Sequence, residues 1–431
     1  MNIISTEYLI EDKLIFKNKM LNWANRFNIF CFLDNNEYEF QFPSFDCILA
    51  AGCMRSIEPA AGNVYTILQQ FYNERPTWLF GHLGYELKNE TEKLSDTKEP
   101  LVNFGAAFFF EPEIIIRITD GKFCVLNSSI EASVIFKEIS DQPENITSAF
   151  NAKPVLKNTV SKQDYIETIK KLQKHIRLGD CYEINFCQQF FAEDVEIYPI
   201  EIYRKLAKIS PNPFSALYKL NDKYCMCASP ERYLQKRGNN IISQPIKGTI
   251  KRDLQNKTDD KINKENLAKS EKDKSENVMV VDLVRNDLSK ICEEGSVKVE
   301  ELFGIYSFPQ VHQMISTITG TVKQHTPWTE IIKATFPMGS MTGAPKKAVM
   351  ELIDRYESTG RGLFSGSIGY ISPDGDFDFN VVIRSIFYDE NLKLLSFLAG
   401  GGITFYSKAE DEYEESMLKA EAIMKVLKQP S

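Results

Sequence analysis

The period of hydrophobic and polar positions changes repeatedly along the chain, and each change marks an element. Near the start, the apolar runs 27–33 and 47–52 are bounded by polar turns and predict strands. Runs 104–110, 114–119 and 123–126 predict three more, with Asp120-Gly121 as a hairpin turn. Residues 78–85 are aromatic and glycine-rich, which reads as close packing with His82 a structural histidine. Residues 138–160 are polar, carry two prolines and have no apolar period, so a linker is placed at 146–160. It separates a mixed N-terminal region, 1–145, from a second region, 161–428.

That second region opens with a helix. Ser161 caps it, Asp164 completes the cap, and Ile166, Ile169, Leu172 and Ile176 form one apolar face that Gly179 ends. His175, beside that face, reads as a surface or packing residue. Residues 181–187 alternate as a strand, and Ile202, Leu206 and Ile209 mark a second helix. Strands follow at 214–220, 224–228 and 240–244, with Gly238-Asn239 as turn chemistry. Strands in succession, without a helix after each, point to an antiparallel-rich α+β fold and not a doubly wound one. Residues 380–387 predict a further strand in which Arg384 shares a face with Val382 and Ile386. A buried arginine needs an anion, either an internal carboxylate or a substrate's.

Glycine segments lie between. Residues 339–347 open a helix with Pro345 in its first turn. They lack the Gly-Lys-Ser/Thr ending of a nucleotide loop, although backbone donors before a helix suit a carboxylate. Residues 360–366 miss the dinucleotide fingerprint by one residue and lead into a strand, which excludes that fold. Residues 399–404 end a strand in bare glycine backbone that another group can approach closely.

Composition narrows the class. With 431 residues, 43% hydrophobic and 26% charged, the chain has ample material for a core. A net charge of −8 without a basic stripe argues against a nucleic-acid groove. No apolar run is long enough to span a membrane, and the acidic start is unlike a signal peptide. The nine scattered cysteines, with Cys225 and Cys227 read as buried thiols, suggest a reduced, cytoplasmic protein.

Three constellations carry chemistry. Glu231, in Ser-Pro-Glu-Arg-Tyr, and Lys247, in Pro-Ile-Lys-Gly-Thr, each lie where a strand runs into a turn. They form either an ion pair capping a hairpin or an acid beside a nucleophile, the latter requiring a destabilised ammonium. Asp273 and Glu276 are three apart, and so are Glu412 and Glu415, so each pair shares a helix face. Such pairs occur on solvated faces; facing each other, they suit a hard cation such as Mg²⁺.

The segments GDCYEINF, SPERYL, PIKGT, KDKSENVMVVDLVRNDL, YSFPQVHQM, GSMTGAPK, GSIGY, NVVIRS, AGGGIT and EYEESMLKA follow in this order over 161–428. This series resembles the chorismate-utilising enzymes, with 1–145 as their variable N-terminal region. The resemblance implies a large α/β sandwich: two mainly antiparallel sheets packed face to face, helices outside, and the active site between the sheets. It implies Mg²⁺ held by Glu276 and Glu415, with Asp273 and Glu412 in support, clamping the ring carboxylate of chorismate. Arg384, Tyr370, Lys419, Ser340 and the amides of Gly401 and Gly402 would hold carboxylates. His312 would sit beside the ring and its departing hydroxyl, whereas His325 would have no role.

Within the family, Lys247 marks the branch that aminates chorismate at ring carbon 4; anthranilate-forming members carry alanine there. The lysine amine would add at carbon 2 as the hydroxyl on carbon 4 leaves, protonated by Glu231. Ammonia would then attack carbon 4 and expel the lysine. The product, 4-amino-4-deoxychorismate, leads to p-aminobenzoate and folate. The runner-up implications are the anthranilate-forming branch and a catalytically silent chorismate-binding subunit. Glu183 departs from the pattern, since ammonia-using members carry glutamine there and water-using members lysine; a carboxylate near Lys247 would also raise that lysine's pKa and work against nucleophilicity. No amidotransferase elbow is found, so a separate glutamine amidotransferase is the implied partner and source of ammonia.

Overall fold

The computed structural model describes residues 7–38, 45–92, 94, 96–144 and 153–428, so that 146–152 of the expected linker lie outside the described residues. Burial decides the layers. In Glu183–Ala192 nearly every residue is buried, because this strand is covered on both faces. It belongs to a twelve-stranded sheet whose inner order is Ile29–Asp34, Phe214–Leu220, Lys223–Ser229, Ser385–Asp389, Leu394–Thr404 and Glu183–Ala192. A ten-stranded sheet runs Ile246–Lys251, Val311–Thr321, Asn240–Gln244, Arg232–Arg237, Phe377–Asn380, Ser367–Ile371, Leu79–Leu83 and Ala107–Glu111 before its last edge. The ladders are antiparallel.

Tyr218 and Leu398 of the first sheet and Phe80, Phe109 and Phe379 of the second share one core between the sheets. On the first sheet's other face, Met20, Trp23, Leu206 and Ile423 pack from helices onto Leu217 and Phe397. This is the expected α+β sandwich with helices outside. The N-terminal region is woven into it: Ile29–Asp34 pairs with Phe214–Leu220, and Leu79–Leu83 with Ser367–Ile371. Among the described residues no helix is long and apolar enough to cross a membrane.

Local signals act as expected in Lys162–Leu178, where Ser161 accepts from the Asp164 amide and Gly179 ends the helix at φ +85°. His82 is buried between Tyr218 and the Gly105 carbonyl, and burial lowers its pKa to about 4. His175 bridges Asp180 and Tyr356. All nine cysteines are free, with Cys225 and Cys227 buried.

Two crossings between the sheets differ from expectation. Lys223–Ser229 leaves the first sheet and, after Pro230-Glu231, the chain enters the second as Arg232–Arg237. Proline supplies no ladder donor, which favours leaving the sheet there. The strands expected at 224–228 and 240–244 therefore lie in different sheets; the turn at Gly238, φ +57°, joins Asn240–Gln244 to Arg232–Arg237 instead. The chain returns from Phe377–Asn380 through residues 381–384 to Ser385–Asp389. The strand expected over 380–387 is thus interrupted, and Arg384 sits at φ +52° where the backbone turns. The crossings are bonded together: the Val381 amide donates to the Glu231 carbonyl (3.0 Å) and the Ala228 amide to the Arg384 carbonyl (3.2 Å).

Candidate active site

Beside the paired crossings the sheets part around an open cleft of about 790 Å³, lined by Asn185, Glu231, Lys247, Glu276, Gln313, Ser340, Phe364, Arg384, Gly402, Glu415 and Lys419 among others. Glu231 sits at the first crossing. Its Oε1 accepts from the Ser340 hydroxyl at 2.6 Å, so this serine is bonded to the acid. Burial pushes the Glu231 carboxyl up to about 7, against the opposing pulls of Ser340, Lys247 and Arg384. Arg384 is half-buried, and burial lowers it to about 10 against the opposing pull of Glu231.

Lys247 extends from the second sheet, and its Nζ donates to Oε1 of Glu183 on the first. Burial alone would depress this lysine, but Glu183, Glu276 and Glu231 outweigh it and hold the ammonium above the ordinary lysine range. The ammonium is therefore not destabilised, the outcome that a carboxylate at Glu183 implies. Apolar neighbours in sequence do not describe a site whose acids arrive from other elements. Gly402 faces this group, and a Cβ there would lie 2.8 Å from Glu183 Oε1 and 2.9 Å from Lys247 Nζ.

The acidic pairs meet, but around a lysine. Ser270 ends the helix Lys257–Lys269 and caps the next, Glu271–Ile291, which carries Glu276 inward. Ala409–Lys428 brings Glu412, Glu415 and Lys419. Lys272 Nζ lies 2.8 Å from Glu412, 3.7 Å from Glu415 and 3.8 Å from Glu276. Lys419 Nζ is 2.9 Å from Glu415 and donates to the Gly400 carbonyl. Lys419 above all holds Glu415 down at about 2, while burial pushes Glu276 up to about 8. Asp273 packs against Gly248 and does not line the cleft.

Among the described residues no three His, Cys, Asp or Glu side chains stand close enough to hold a metal. Lys272 already occupies the space between the carboxylates. In kind, the donors still fit Mg²⁺: they are all oxygen, and Glu276 Oε1 and Glu412 Oε2 are buried without hydrogen-bond partners.

Three expected residues lie elsewhere. His312 and Gln313 are neighbours on a strand and so face opposite ways. Gln313 lines the cleft, 1% exposed, with its Oε1 unpartnered. His312 instead contacts Ser307 (2.9 Å) and Asp260 (3.1 Å), the latter gripped by Arg252. Tyr370 packs among Phe45, Trp78 and Phe80, and Phe364 lines the cleft. Gly401 faces Glu412, Glu415 and Lys419 on the helix side, while Gly402 faces the cleft. Sequence reasoning also passed over Arg361, buried against Glu357 and bonded to the Met341 and Asn185 carbonyls. It braces the cleft floor, where stranding either charge would cost about 3–5 kcal/mol. Strand alternation was the signal that distinguishes Gln313 from His312. Gln313→Leu is expected to cut kcat/KM by about 10-fold or more, from a lost polar contact inside the cleft. His312→Leu should chiefly lower Tm. Steady-state kinetics with thermal melts check both.

The family model of the chorismate binding enzymes matches residues 36–425. Aminodeoxychorismate synthase component 1 of Klebsiella aerogenes is 33% identical over 352 residues, covering 80% of this chain and 76% of that one. Anthranilate synthase component 1 of Saccharolobus solfataricus is also 33% identical, over 348 residues, 80% of this chain and 79% of that one. The crystal structure of anthranilate synthase component I from Streptococcus pneumoniae matches with a TM-score of 0.75 at 24% identity, over 89% of this chain and 94% of that one. That likeness speaks for the fold.

Proposed function

This chain belongs to the chorismate-binding enzymes, and on that premise we propose that it aminates chorismate at ring carbon 4, as an aminodeoxychorismate synthase component 1. The observation that carries the choice is Lys247: an amine in the cleft beside Glu231, an acid poised near neutrality. Lys247 adds to ring carbon 2 while Glu231 protonates the hydroxyl leaving carbon 4, and ammonia then displaces the lysine from the opposite end. Arg384, half-buried and cationic, and Lys419 attract the substrate's carboxylates. Glu276 and Glu415 would hold Mg²⁺ once Lys272 gives way, and the ion would supply Lewis-acid polarisation of the ring carboxylate.

Ammonia comes from a separate glutamine amidotransferase subunit, and the product feeds p-aminobenzoate and folate synthesis. The free, mostly buried thiols support a reducing compartment such as the cytoplasm.

Product analysis tests the reading: purified protein with chorismate, Mg²⁺ and ammonium salt should yield 4-amino-4-deoxychorismate by mass spectrometry. Anthranilate as product would favour the second reading, which the likeness to anthranilate synthase component 1 supports. No conversion would favour a silent subunit.

The acid role fixes a pH limb. Glu231 must be protonated to act, so kcat/KM should fall about tenfold per pH unit above roughly 7, where its carboxyl ionises. Glu231→Gln should lower the rate by about 100-fold and abolish that limb, as a pH–rate series would show.

A further inference from the structure

The ion pair that joins the sheets inside the cleft does more than tie them. We propose that Glu183 is the base that takes the proton from the Lys247 ammonium and returns it when the lysine is released. This rests on the reading of Lys247 as the nucleophile.

Glu183 begins the strand Glu183–Ala192 and is 1% exposed. Its Oε1 accepts from Lys247 Nζ, and its Oε2 is buried with no hydrogen-bond partner, leaving capacity for a second contact. The bare backbone of Gly402 presses against both groups, so a larger residue there would part them. The other charged or titratable groups facing the pair are Glu276 from the helix Glu271–Ile291, Glu231 at the crossing, Glu415 with Lys419 from Ala409–Lys428, and Cys187 on the same strand as Glu183.

That surrounding charge decides where the proton goes. Loss to solvent would leave Glu183 a buried charge without its partner. Transfer along the existing hydrogen bond leaves the cavity's net charge unchanged and needs no water in it. The freed Nζ lone pair forms the bond to ring carbon 2, both ring double bonds shift by one position away from carbon 2 and toward carbon 4, and the bond from carbon 4 to its hydroxyl breaks. Glu231 gives the departing oxygen its proton, and water leaves. The ammonia lone pair then forms the new bond at carbon 4, both double bonds shift back, and the bond from carbon 2 to Nζ breaks. The released amine recovers its proton from Glu183, Glu231 regains one from solvent, and the product leaves as an ammonium.

The test compares the wild type with Glu183→Gln. Without ammonia, the wild type with chorismate should show intact-protein mass added at Lys247, equal to chorismate less water. With ammonia, Glu183→Gln should be about 100-fold slower at pH 7; its rate should climb about tenfold per pH unit up to roughly pH 7 as lysine deprotonates unaided, and level off above it, where Glu231 ionises and the wild type declines. Added formate should partly restore Glu183→Ala, a rescue that a purely structural carboxylate would not show. Removing a carboxylate also makes the lysine easier to deprotonate, so a Glu183→Gln variant as fast as wild type or faster at pH 7 overturns the proposal. Failure of the wild type to form either the adduct or the product would instead remove the lysine mechanism, and this inference with it.

Discussion

Replacing Lys247 is expected to end amination at carbon 4. Lys247→Arg is the most informative change, because guanidinium keeps a cation beside Glu183 and Glu276 but is not a nucleophile. The protein should fold and lose at least about 10³-fold in kcat, since the covalent route is closed and direct attack by ammonia is all that remains. Lys247→Ala should lose as much activity and also stability, about 3–5 kcal/mol, because Glu183 is then left buried without its partner. Chromatography of the product and a denaturant melt separate the two effects. Turnover to the same product at the wild-type rate by Lys247→Arg would sink the covalent route.

Removing the carboxylate proposed to hold Mg²⁺ is the other large change. Glu276→Ala is expected to abolish Mg²⁺-dependent turnover, a loss of about 10³-fold, and to weaken divalent-ion binding measured directly by calorimetry. Lys272 sharpens this expectation. Its ammonium bridges Glu276, Glu412 and Glu415 and must yield to any cation placed there. Lys272→Met should therefore bind Mg²⁺ more tightly in the absence of substrate. Full activity of Glu276→Ala, or of the wild type in excess chelator, would end the metal assignment.

What was legible in the chain was whatever one segment decides alone. The helix capped by Ser161 and stopped by Gly179 needed only its own residues. So did the strands at Ile114–Thr119 and Lys122–Asn127 with their Asp120-Gly121 turn. The crossings at Glu231 and Arg384 were not legible, because apolar residues passing between two sheets look like residues within one. Site chemistry was legible in part, through the carboxylate at Glu183. Lys247 meets Glu183 from 64 positions away, and its protonation follows from that meeting and not from Pro-Ile before it. Alternation within Val311–Thr321 did contain the answer for Gln313, but the family resemblance pointed to His312. Tyr370 and Phe364 are a similar exchange: the family resemblance implied a role for Tyr370, and packing among three other rings took it into the core.

The weaving of the N-terminal strands through both sheets bears on synthesis. Leu79–Leu83 finds one neighbour, Ala107–Glu111, soon after it is made, but the other, Ser367–Ile371, emerges from the ribosome nearly three hundred residues later. Ile29–Asp34 likewise waits for Phe214–Leu220. Such pairings must close long loops before they are rewarded, which slows folding and leaves apolar strand edges open meanwhile. Nascent chains of this protein therefore hold these strand edges unpaired through most of translation, and a fragment starting near residue 161 would carry two bare sheet edges into solution.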